Sequence, residues 1–105
     1  MKLLENSLLQ PDHKILIDND ICKISQSKLS EDLSLSTIQI FALQEYTFTA
    51  RSGILSVGIG LGTIVCGSQK LDLTLFNKVA LDRGEKVTIK NTQNYPLTLN
   101  FISAN

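Results

Sequence analysis

Apolar and polar side chains alternate with a period of two along most of this chain. In Glu85 to Lys90, Val87 and Ile89 fall on one face while Lys86, Thr88 and Lys90 fall on the other, the pattern of a half-buried strand. Leu97, Leu99 and Phe101 alternate with Thr98 and Asn100, Leu71, Leu73 and Leu75 with Asp72 and Thr74, and Tyr46 and Phe48 with Thr47 and Thr49. Further strands are expected at Lys14 to Asp18, Ile21 to Ser25, Thr37 to Leu43, Ile54 to Val57, Thr63 to Cys66 and Lys78 to Leu81. Asp18-Asn19-Asp20 reads as a tight turn, and Gly84 in Asp82-Arg83-Gly84-Glu85 sits where a hairpin wants positive φ. Asn91 to Pro96 reads as a polar loop, and Ser27 to Leu35 as a loop or one helical turn.

About nine or ten short strands with no long helical stretch predict an all-β, antiparallel jelly-roll barrel or sandwich. Residues 42–49 and 80–89 echo each other once two turn residues are inserted, as the paired Greek keys of a jelly roll would. The whole chain, 1–105, is expected to be one β domain, with residues 1–11 as a short helix or packing arm ending at Pro11.

Composition narrows the function classes. The 105 residues carry 10 basic and 10 acidic side chains and 43% hydrophobic residues, a globular composition rather than a disordered one. Four lysines meet seven acids in residues 1–50, and six bases meet three acids in residues 51–105, a modest dipole along the sequence. Neutrality and only 6% aromatics argue against nucleic-acid binding, although Lys78, Arg83, Lys86 and Lys90 could form a stripe. Residues 53–67 are uncharged and apolar, but they fall short of the roughly 18 residues of a membrane span. Glu5 and Asn6 interrupt the N-terminal leucines before the roughly 7 apolar residues of a signal peptide. Cys22 and Cys66, with 43 residues between them, match no metal or redox spacing, so both are expected as buried apolar residues in a reducing cytoplasm.

The segment Val79 to Asn91 resembles the strand–turn–strand of small cupin-like barrels, in which an apolar residue, two spacers, Gly and an acid introduce the strand leading to the barrel mouth. The resemblance runs from Phe48 to Ile102. A metal-binding cupin is expected to place two His and a Glu on one strand and a further His on a later one, so that they converge on one ion. Here the only histidine is His13, and Gly53 to Gly67 holds no His, Asp or Glu. The resemblance therefore implies a barrel without the usual metal site, and no cofactor is expected.

Other chemistry is poorly supplied. Gly58-Ile59-Gly60-Leu61-Gly62 is followed by β-branched strand residues rather than a helix, so these glycines are read as a bulge or close backbone approach. Asp12-His13 with Ser7 or Cys22 lacks a nucleophile-elbow motif, and Asp18-Asn19-Asp20 lacks the later ligands of a calcium loop. Carboxylate catalysis by Asp72, Asp82 and Glu85 would need a polar cavity that gathers them.

The expected role is non-catalytic, through self-association or binding. A barrel interior lined by Phe48, Val57, Ile64, Leu73, Val87 and Leu99 is either a packed core or a site for one small apolar ligand. Apolar residues on both faces of Thr37 to Leu43 and at Leu75-Phe76 suggest a symmetric homodimer that buries one sheet face, and cupin-like pairing implies the same. The alternatives are a structural subunit of a larger assembly such as a virion, and a metal-free isomerase or lyase.

Overall fold

The computed structural model describes residues 14–105. The expected arm at residues 1–11 and His13 lie outside the described residues. Ten strands follow one another: β1 (Lys14–Asp18), β2 (Cys22–Lys28), β3 (Leu33–Ile40), β4 (Glu45–Thr49), β5 (Gly53–Ile59), β6 (Gly62–Cys66), β7 (Gln69–Leu73), β8 (Lys78–Leu81), β9 (Lys86–Lys90) and β10 (Leu97–Ala104). A six-stranded sheet runs β1-β2-β3-β10-β5-β8 and a four-stranded sheet β4-β9-β6-β7, with every pairing antiparallel. From β3 to β10 the chain repeatedly crosses between sheets, the winding of a jelly roll. β1 and β2 widen one sheet beyond that barrel, and the echoing segments become neighbours, since β4 pairs with β9.

Alternation places the core. Ile24, Ile38, Leu99 and Val57 stand in register across β2, β3, β10 and β5, as do Cys22, Ile40 and Leu97 one row along, and all are buried. Ile64, Leu73, Val87 and Ile89 join the same cluster from the four-stranded sheet. The turns form as local chemistry dictates: Asn19 Oδ1 accepts from the amides of Ile21 and Cys22 at 2.8 and 3.0 Å, and Gly84 takes φ +93°. Gly62 is required by close approach, because a Cβ there would lie 2.5 Å from the Lys90 carbonyl oxygen and 2.8 Å from Leu97 Cδ2.

Three expectations need correction. The 27–35 segment is mostly strand, and only residues 29–32 connect β2 to β3. Leu33 to Ser36 alternates in the sense opposite to hydrophobicity, with Ser34 and Ser36 buried, Leu33 exposed and Leu35 half-buried, which hides the strand from a pattern reading. At the other end of β3 the strand stops at Ile40, and Leu43 turns the chain at φ +61°. Leu75 and Phe76 lie in the turn after β7, 63% and 95% exposed, so neither they nor Leu43 is a sheet-face residue.

Candidate functional site: an aromatic cleft at one end of the barrel

The inward positions of β3 shrink along the strand from Ile40 and Ile38 to Ser36 and Ser34, and β10 shrinks likewise from Phe101 to Ser103. Small side chains at these positions leave the two sheets unfilled at one end, and a cleft of about 310 Å³ opens there. Its apolar wall comes from Ile17, Ile24, Ile38 and Phe101 on the six-stranded sheet and Tyr46 and Phe48 on the other. The Tyr46 and Phe48 rings stack with centroids 5.6 Å apart, and Phe48 meets Phe101 edge-on at 6.4 Å. Gln26, Ser36 and Ser103 supply polar groups to the cleft, Gln26 Nε2 donating to Ser36 Oγ at 3.4 Å, and Thr49 and Arg51 close the rim. Burial, and then the neighbouring Cys22, push the Tyr46 hydroxyl above its ordinary range, so it stays a neutral donor at physiological pH.

A smaller cavity of about 170 Å³ lies toward the other flank, between β6, β7, β8 and β9. Cys66 Sγ donates to Glu85 Oε2 at 3.3 Å there, while Glu85 Oε1 accepts from the Asp82 amide at 2.6 Å. The Asp82 amide and then the thiol hold the Glu85 carboxyl below its usual value. The bond to Glu85 raises the Cys66 thiol, with burial and the carboxylate charge adding to it, which disfavours the nucleophilic thiolate. Cys22 is buried and likewise raised, and both cysteines are free.

The six residues expected to line the interior do not gather at one cavity. Phe48 reaches the aromatic cleft, Ile64 and Val87 line the smaller cavity, and Val57, Leu73 and Leu99 belong to the packed centre. Pattern reading missed Tyr46, Phe101 and Arg51 as cleft residues, although the alternation already set Tyr46 beside Phe48. Among the described residues no three His, Cys, Asp or Glu side chains cluster as metal ligands would. Two further cavities lie beside Arg51 and Arg83 and beside Lys14, Lys28 and Glu31; among the described residues, Glu85 in the smaller cavity and Glu31 are the only carboxylate side chains lining any of the four. Among the described residues there is also no helix long and apolar enough to cross a membrane.

No family model matches this sequence, and no curated protein matches it. Solved structures do match. An RmlC-like cupin family protein with a double-stranded β-helix fold from Methanocaldococcus jannaschii superposes with a TM-score of 0.69 at 15% identity, covering 93% of each chain. An uncharacterised conserved protein with a double-stranded β-helix domain from Klebsiella pneumoniae subsp. pneumoniae gives 0.70 at 14% identity, covering 86% of this chain and 82% of that one. The Cnp3 cupin domain of Schizosaccharomyces pombe gives 0.66 at 13% identity over 80% of this chain, which spans 65% of that structure. At such identities the shared property is the path of the backbone, and on that ground this chain is a small cupin-fold domain, a double-stranded β-helix.

Proposed function

We propose that this domain binds a small, largely apolar molecule in the cleft between Tyr46, Phe48 and Phe101. The observation that carries the reading is the ring cluster itself: the half-buried Tyr46 and Phe48, backed by the buried Phe101, leave aromatic surface open beside a barrel whose centre is packed. The cleft volume is at the low end of ligand sites, about 300 to 1,000 Å³, which suits a molecule of one or two rings. Ligand-observed NMR with the neutral probe 2-naphthalenemethanol tests it. Saturation transfer to the probe is expected, together with its loss in Phe48→Ala, whose partly exposed ring can be removed without hollowing the centre. Transfer that persists unchanged in Phe48→Ala would remove the cleft from consideration.

Self-association is the second reading, favoured by a different observation. On the outer face of the six-stranded sheet, Leu35, Ile102, Ile54 and Ala80 stand directly opposite one another across β3, β10, β5 and β8. Ile54 and Ile102 are 53% and 46% exposed, an apolar row that a two-fold related copy would cover with its own. Sedimentation is expected to give a dimer for the native chain and a monomer for Ile54→Lys, whose fold persists because the side chain faces out and whose melting temperature, unlike that of the native chain, does not depend on concentration. A native monomer at the highest attainable concentration would sink this reading and leave the cleft untouched.

A further inference from the structure

We infer that the ligand of the aromatic cleft is an organic carboxylate, whose apolar body lies on the Tyr46, Phe48 and Phe101 rings and whose carboxylate is held by Arg51, with Arg83 adding positive charge from the adjoining cavity. The inference rests on the cleft being a ligand site and adds the chemistry of the ligand.

Arg51 lies in the wall that the cleft shares with a second cavity of about 470 Å³, which Arg83 also lines. Among the described residues, no Asp or Glu side chain lines either space. The single ion pair among the described residues joins Lys90 to Glu45 elsewhere, so neither guanidinium is neutralised by a described carboxylate. Glu85, two residues from Arg83, is committed on the opposite flank to the Asp82 amide and the Cys66 thiol. An apolar cleft whose described rim carries an arginine and no carboxylate side chain favours an amphipathic anion over a neutral or cationic ligand.

The loops carrying the two arginines are tied together. Ala50 donates to the Glu85 carbonyl at 2.7 Å, Gly84 donates to the Ala50 carbonyl at 2.9 Å, and the Arg83 amide donates to Ser52 Oγ at 3.2 Å. The β4–β5 connection thereby fixes where Arg51 leaves the backbone, two residues after the last residue of the ring-bearing strand. A guanidinium presents parallel N–H donors that match a carboxylate bidentately, a fit that a lysine would not provide.

Two probes with the same body separate this inference from the reading beneath it. 2-Naphthoate is expected to bind roughly tenfold more tightly than 2-naphthalenemethanol at low salt, the scale of one charge-assisted hydrogen-bonded pair. Arg51→Gln is expected to bring the affinity for 2-naphthoate down to that of the same variant for 2-naphthalenemethanol, and Arg83→Gln to reduce the preference in part. Equal affinity for both probes, or a preference that survives Arg51→Gln, would overturn the carboxylate assignment and spare the cleft. Failure of both probes to bind the native protein would overturn the two together.

Discussion

Leu99→Asp is expected to abolish the folded state at neutral pH. Leu99 is wholly buried in the middle of β10, in register with Ile38 on one side and Val57 on the other, and it lines none of the four cavities described. Truncation to alanine alone would cost about 2–5 kcal/mol in lost burial and residual cavity. Aspartate adds an uncompensated charge, so the loss becomes comparable to the whole stability of a small domain, about 5–15 kcal/mol. Far-ultraviolet circular dichroism and urea titration read the outcome. A cooperative transition within about 1 kcal/mol of the native one would mean that Leu99 does not face a dry core.

The second large effect belongs to a residue whose bulk is trivial. Asn91 is 3% exposed, and its amide nitrogen donates to the carbonyls of Ile40, Phe41 and Tyr95 at 3.0, 3.1 and 2.8 Å. Its Oδ1 accepts from the Gln93 amide at 3.0 Å, and its own amide donates to the Gln44 carbonyl at 2.9 Å. One side chain therefore clasps the β3–β4 turn to the loop between β9 and β10. Asn91→Asp keeps the shape and aims a carboxylate at three carbonyl oxygens, at an expected cost of about 3 kcal/mol or more at pH 7. The folded state favours the protonated acid, which raises its pKa above the unfolded value of about 3.9. Stability is then retained below that unfolded value and lost as pH rises through the folded one. Urea titrations at pH 4 and pH 7 should therefore show a larger deficit at pH 7, whereas Asn91→Ala should show a similar deficit at both. Equal deficits for Asn91→Asp at the two pH values would sink this account.

The two sites differ in how far local sequence encodes them. Leu99 belongs to an unbroken alternation, Leu97 to Phe101, and any strand with that pattern turns those side chains to one side. Asn91 sits in a stretch that reads only as polar loop, because two of the three carbonyls it satisfies lie some 50 residues away and close on it only when the sheets pack.

The same division runs through the whole protein. Local pattern determined the β class, two strands to the residue (β1 and β8), the turns at Asn19 and Gly84, and the inward faces of β9 and β10, since period-two patterning and turn chemistry act between near neighbours. The resemblance around Gly84 also pointed to the barrel that the solved structures share. Tertiary structure alone decided the first half of β3, Leu33 to Ser36, whose serines face inward against hydrophobic expectation because the register is held by ladders to β2 and β10 on both sides. It also decided the site. The cleft exists because serines on β3 and β10 come opposite the rings of β4, and Arg51 reaches it from a loop clamped by the Gly84 turn, contacts between segments far apart in the chain that no local periodicity encodes.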